Sequence, residues 1–191
     1  GRAGPAPSAA ASDAAEVTAV VRDADGTEVG TATGAANELL AVEIPDAHLW
    51  SPDDPYLYDV DVTLTDGDST DTVASYAGMR SIEVSEVDGV QRILLNGERT
   101  FLMSTLDQGY WPDGIYTPAS DEAYVFDLQA HKDLGFNTVR KHIKVEPARW
   151  YHHADTLGLM VWQDIPSGWF PHGDSAPASR VFGELERSAL I

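Results

Sequence analysis

Arg140, Lys141 and His142 stand together at the point where a short apolar run, Phe136-Asn137-Thr138-Val139, gives out. A guanidinium binds carboxylates and hydroxyls through a rigid fork of donors, and an imidazole can orient a substrate or carry a proton near neutral pH. A second apolar run, Leu159 to Trp162, ends in Gln163-Asp164 and is followed by Pro166, Gly168 and Trp169. Between the two runs, Pro147 sits at a first helical position, Trp150, Tyr151, Ala154 and Leu157 form an apolar stripe, and Gly158 supplies a left-handed stop. The stretch from Phe136 to Asp164 therefore reads as strand, helix, strand. In parallel α/β folds, substrates bind at the carboxyl ends of the strands, so Arg140, His142, Gln163 and Asp164 should share one rim. If the first strand runs on through Lys144, period two puts Arg140, His142 and Lys144 on one face and Lys141 on the other.

The elements that position these residues follow from the rest of the chain. Gly1 to Ala15 is small, proline-containing and nearly without large apolar groups, as in a linker or a disordered end. From Glu16 the rhythm is strand and turn: Val17, Ala19 and Val21, then Asp25-Gly26, then Val29 and Thr31. Leu39 to Ile44, Tyr58 to Leu64 and Val73 to Tyr76 supply further strands, which together imply a β-sandwich over residues 16–88. Asp88-Gly89 and Asn96-Gly97 are hairpin turns, leading to a strand at Thr100-Phe101-Leu102-Met103. Beyond that seam the rhythm becomes strand, helix, strand. Ser120 caps a helix opened by Asp121 and Glu122, with Ala123, Phe126, Ala130 and Leu134 inward and Gly135 as terminator. Val181, Leu185 and Leu190 begin a third helix.

Composition narrows the partners. The chain has 191 residues, 43% hydrophobic, enough for a packed core, and a formal net charge of −19. So acidic a surface repels nucleic acid and anionic membrane, and no run of 18 apolar residues exists to span a bilayer. Without cysteine there is neither a disulfide framework nor a thiolate nucleophile, and compartment is left open. The start lacks both a Met and a signal-peptide pattern, as at an internal cut. His152 and His153 are adjacent on a helix and cannot share a metal in the usual i, i+4 way. Trp150 and Trp162 read as core.

Several blocks, in order, resemble the family 2 glycoside hydrolases, the β-galactosidase, β-glucuronidase and β-mannosidase group. LWSPDDPYLYDVDVTL (Leu49 to Leu64) and YAGMRSIEV (Tyr76 to Val84) are similar to the end of that family's immunoglobulin-like domain. ILLNGERTFLMSTLDQGYWPDG (Ile93 to Gly114) and DLGFNTVRKHIKVEPARWYHHADTLGLMVWQD (Asp133 to Asp164) are similar to the start of its TIM barrel. The resemblance implies an incomplete immunoglobulin-like sandwich over 16–88 and the first three βα units of a (β/α)8 barrel over 89–191. It further implies retaining hydrolysis of a glycosidic bond by two carboxyl groups about 5 to 5.5 Å apart, with a carbohydrate substrate. No cofactor or metal is expected. The family's two catalytic glutamates have no counterpart here, since Asn96 and Asn137 are followed by Gly97 and Thr138, so both are expected downstream of Ile191.

Residue by residue, Arg140 matches the family's arginine at the end of the second barrel strand, which implies contact near the nucleophile. Asp164 matches an acidic residue after the third strand, which implies contact with sugar hydroxyls. Where β-galactosidases carry an Asn-Arg-His sequence, this chain has Leu106-Asp107-Gln108, which weakens a galactoside assignment. Asp107, Gln108, Tyr110 and Trp111 still offer amide, carboxylate and flat aromatic groups to a sugar, and His142 could orient it. A reacting pair made of Asp107 and Asp164 is disfavoured, because three strands cannot exclude water from a reacting centre. The alternative reading is a non-catalytic carbohydrate-binding or interaction module.

Overall fold

The computed structural model describes residues 14–165. The chain forms two compact units that divide between Ser81 and Ile82, and it is rich in β-sheet with two helices among the described residues.

In the first unit, β1 (Glu16–Arg22), β2 (Glu28–Ala35), β3 (Tyr58–Asp66) and β4 (Ser69–Ala77) form one antiparallel sheet in the order β2-β1-β3-β4. The β1–β2 turn is closed by Asp23, whose carboxylate accepts the backbone N–H groups of Asp25 and Thr27, with Gly26 at φ 79°. Cross-strand pairs Thr18–Thr33 and Thr63–Thr72, each with hydroxyls 3.0 Å apart, fix the register. Leu39 to Ile44, expected as a strand, makes no ladder, and Leu39 is fully exposed. Instead, residues 42–44 lie tight against β2 at Gly30, where a Cβ would come within 2.8 Å of the Glu43 carbonyl oxygen. Apolar composition favours a strand only where a partner strand supplies hydrogen bonds. The loop before β3 is ordered by burial. Trp50 is 1% exposed, lies beneath the Arg80 guanidinium at 4.8 Å and donates its backbone N–H to Met79.

In the second unit, β5 (Ile82–Val87), β6 (Val90–Leu95) and β7 (Glu98–Arg99) form an antiparallel sheet. It turns at Asp88-Gly89 and Asn96-Gly97, where all four residues have φ between 53° and 79°. A 290 Å³ hollow beside the β6–β7 hairpin has no carboxylate in its lining. The chain then alternates: β8 (Ser104–Asp107), α1 (Asp121–Asp133), β9 (Thr138–Lys141), α2 (Ala148–Leu157) and β10 (Met160–Gln163), with β8 and β10 both parallel to a central β9. The strand expected at Thr100–Met103 begins later, at Ser104. Asn137 takes up the backbone before it, donating to the Phe101 carbonyl and accepting the Met103 N–H, both at 2.9 Å.

Both helices cover one face of this sheet. Tyr124 and Leu128 of α1 and Trp150 and Ala154 of α2 pack with Val139 and Leu159, each at most 1% exposed. Burying each large apolar side chain contributes roughly 1.5–3 kcal/mol. The phase of α1 differs from expectation: Phe126 and Leu134 are 77% and 76% exposed, because Tyr124 and Leu128, four apart, form the inward stripe. Pro147 is the N-cap of α2 and not its first helical residue, and Gly158 at φ 74° ends it as expected. Trp150 is core. Trp162, expected there too, is half exposed because it projects from the face opposite α1 and α2, which no helix among the described residues covers. The helix expected from Val181 lies outside the described residues.

Candidate functional site

Register sorts the rim into two faces. Leu106, Arg140 and Trp162 lie in one row across β8, β9 and β10, and all three are exposed; the next row, Asp107, Lys141 and Gln163, points toward the helices. A one-residue alternation thus separates two neighbouring cations into different environments.

On the open face, Arg140 grips Asp164 with two hydrogen bonds, Nε to Oδ1 at 3.1 Å and Nη2 to Oδ2 at 2.9 Å. Asp164 is placed by its own backbone N–H, which bonds the Lys141 carbonyl and prolongs the β9–β10 ladder. The guanidinium holds the Asp164 carboxyl below the usual aspartate range, and Asp164 in turn raises the pKa of Arg140. His142 prolongs the β8–β9 ladder through its N–H to the Asp107 carbonyl, and its ring stands between two partners. Gln108 Nε2 lies 2.9 Å from Nδ1, and Nε2 lies 3.9 Å from Asp164 Oδ2. With the amide donating to Nδ1, the ring proton sits on Nε2 and faces the carboxylate. Four of the residues singled out from the sequence therefore form one connected polar set: Gln108, His142, Asp164 and Arg140.

Asp107 and Trp111 take other positions. Asp107 faces the helices and accepts from Lys141 Nζ at 2.5 Å. Trp111 packs edge-on against Tyr124 with centroids 5.8 Å apart, and its buried indole N–H finds no acceptor among the described residues.

Sequence reasoning missed a buried ionic cluster beneath the rim. Lys141 Nζ is 2.6 Å and Lys144 Nζ 2.9 Å from Glu146 Oε1, with side chains 1%, 8% and 0% exposed respectively. Both are ionic contacts outside hydrogen-bond alignment, and Glu146 Oε2 has no hydrogen-bond donor among the described residues. Lys141 also lies over the Trp150 ring at 4.8 Å. Lys144 had been expected on the face of Arg140 and His142. It is not, because β9 ends at Lys141 and Ile143 adopts φ 49°, which reverses the alternation and turns Lys144 inward. There Lys144 donates to the carbonyls of Gly109 and Tyr116, each at 2.8 Å. Gly109, at φ 67°, has no room for a side chain: a Cβ would lie 2.5 Å from Glu146 Oε1 and 2.7 Å from both ammonium groups. Gln163 closes the other side, donating to the Lys144 carbonyl and accepting from the Tyr151 hydroxyl, which itself accepts the Glu146 N–H. The available signal was the pair Lys141 and Lys144, two of only three lysines in the chain, with Glu146 two residues after the second.

His153 pairs with Asp121 at 2.8 Å, and the described residues contain no cluster of metal-ligating side chains. No helix among them is long and apolar enough to cross a membrane.

Residues 7–80 match the family model for glycosyl hydrolases family 2. The chain is 30% identical over 156 residues to a mannosylglycoprotein endo-β-mannosidase of Lilium longiflorum, which covers 75% of this chain and 16% of that protein. It is 30% identical over 160 residues to a β-galactosidase of Psychromonas ingrahamii, covering 83% and 14%. Among solved structures it superimposes on a Parabacteroides merdae β-glucuronidase with TM-score 0.68 at 27% identity, covering 80% of this chain and 19% of that one. The chain thus spans less than a fifth of the length of each of these relatives.

Proposed function

The chain belongs to the glycosyl hydrolases of family 2, and on that premise we propose that it supplies part of the saccharide-binding rim of a retaining glycosidase. The finer architecture in this reading is part of an immunoglobulin-like sandwich followed by the first three βα units of a TIM barrel. Three parallel strands with both helices on one face support the second half of that assignment, since barrel strands bury one face under helices and turn the other inward.

The observation that carries the proposal is the Arg140–Asp164 pair, set at the carboxyl ends of β9 and β10 on the face away from α1 and α2. Asp164 occupies two of the five guanidinium donors, which leaves others to orient a nucleophilic carboxylate or bind sugar hydroxyls. His142 and Gln108 extend the polar set. Asp107 and Asp164 do not act as the reacting pair in this reading. They lie on opposite faces of the sheet, and each is matched by a cation. The acid/base and nucleophile glutamates therefore belong to parts of the longer protein beyond this chain, and the 191 residues alone bind without hydrolysing.

The test is kinetic. In a protein that joins this chain to the remaining barrel strands, Arg140→Ala is expected to lower kcat/KM for nitrophenyl β-glycosides by about 100-fold or more with the fold retained, roughly 2.7 kcal/mol of transition-state stabilisation. Unchanged kinetics would remove Arg140 from the site. Turnover by the 191-residue chain alone would overturn the division of labour.

A further inference from the structure

Of the two aromatic groups expected to face a sugar at this rim, Tyr110 is open to solvent and Trp111 is not. Trp111 is turned against Tyr124, whereas Tyr110 and Tyr116 are 59% and 49% exposed. Their rings meet edge to face at 5.0 Å and their hydroxyls lie 3.2 Å apart. We propose that Tyr110 and Tyr116 form an aromatic subsite for a neutral pyranose ring, adjoining the ring held at Arg140 and Asp164. This rests on the reading of the rim as saccharide-binding.

Two features of the pair point to a ligand. The first is how firmly an exposed loop is held. Lys144, buried and ion-paired with Glu146, donates to the carbonyls of Gly109 and Tyr116 and so ties down both ends of the segment carrying the tyrosines. Between them, Trp111 and Ile115 exchange backbone hydrogen bonds of 2.8 and 3.0 Å. The Lys144 ammonium also lies 5.0 Å from the centre of the Tyr116 ring. Groups already fixed in place lose little conformational freedom on binding, which is how rigid aromatic contacts contribute affinity.

The second feature is chemistry. A pyranose presents a flat patch of C–H groups rimmed by hydroxyls, and a tyrosine presents an apolar face with a polar tip. When one hydroxyl of the pair donates to the other, one O–H and several lone pairs are left for a ligand's hydroxyls. Tyr110 follows Gln108 by two residues, at most about 7 Å of extended chain, and Gln108 already contacts His142. The subsite therefore lies next to the polar set, along the loop that leads away from β8.

Titration of the 191-residue chain with β-1,4-mannobiose and with lactose, read at isotope-labelled tyrosine rings by NMR, tests this. The single variants Tyr110→Phe and Tyr116→Phe assign the signals and keep the rings. Saturable shifts at both rings are expected. The double variant Tyr110→Ala/Tyr116→Ala, with a native-like amide spectrum, should weaken disaccharide binding at least tenfold, and by more than it weakens methyl β-mannoside or methyl β-galactoside. Saturable binding that shifts Arg140 and His142 signals but leaves both tyrosines silent overturns this subsite and leaves the saccharide-binding rim standing. Disaccharide affinity unaltered in the double variant does the same. Absence of any saccharide response in the unmodified chain overturns both.

Discussion

Lys141 and Glu146 meet at 2.6 Å with side chains 1% and 0% exposed, so the charge under the rim is more deeply buried than the charge on it. Arg140, one residue earlier, is 48% exposed by its side chain. The rim is thus a partly exposed polar set standing on a buried ionic one. Lys144 and Glu146 connect the β9–α2 loop to the β8–α1 loop, which carries Gln108 and the tyrosine pair.

Removing one member of that buried set should be costly, because without Lys141 the Asp107 carboxylate loses its ammonium partner and Glu146 keeps only Lys144, leaving two carboxylates to one ammonium. Lys141→Met is expected to destabilise the second unit by about 3–5 kcal/mol, measured by denaturant unfolding or by amide exchange at Val139. Adding Glu146→Gln should recover part of the loss, since it removes the uncompensated charge. Losses that merely add would show that the two side chains act independently.

The open pair makes a prediction in pH. Hydrogen bonds from Arg140, then its charge and that of His142, hold Asp164 below the ordinary aspartate value, against the opposing effect of desolvation. A depressed folded value means that the stabilisation is fully present above the unfolded aspartate pKa, roughly 3.9, and is lost as pH falls through the folded value. In Arg140→Ala the Asp164 carboxyl should titrate at higher pH, seen in its carbonyl carbon shift. An identical midpoint in both proteins would show that the guanidinium does not set it.

Asp127 on α1 carries the opposite sign. Burial pushes its carboxyl up, the neighbouring Asp107 adds to this, and His131 and Lys141 pull it down by less. The folded chain then holds its proton more tightly than the unfolded chain, so stability declines as pH rises from the ordinary aspartate value through the folded one. Asp127→Asn should raise the melting temperature at pH 7 and change it less at pH 4. A variant that melts lower at pH 7 would mean that the charged carboxylate is a net stabiliser.

Local rules made much of this legible. The Asp88-Gly89 and Asn96-Gly97 hairpins, the Gly158 stop and the strand-helix-strand alternation follow from residues close together in sequence, whose backbone preferences act wherever the chain goes. The gathering of Arg140, His142 and Asp164 was legible for the same reason, since each stands at or just beyond a strand's carboxyl end. Gln163, expected with them, lies in the row of Lys141 and bonds Tyr151 and the Lys144 carbonyl instead, and Gln108 joins the set through His142. The misreadings share a cause. Leu39 to Ile44 looked like a strand but had no partner, Phe126 looked inward but Tyr124 and Leu128 took that face, and Trp162 looked buried but projects from the uncovered one.

The sequence by itself determined the kinds of element, the turns between them and the end of the sheet at which polar residues collect, because periodicity and turn chemistry are short-range. Tertiary structure alone decided that Lys144 turns inward after Ile143, that Glu146 lies between two ammonium groups, and that Trp111 is packed away while Tyr110 and Tyr116 stay in solvent. Those outcomes depend on which side chains from separate strands and loops arrive at one place, and on the cost of leaving a charge there without its opposite.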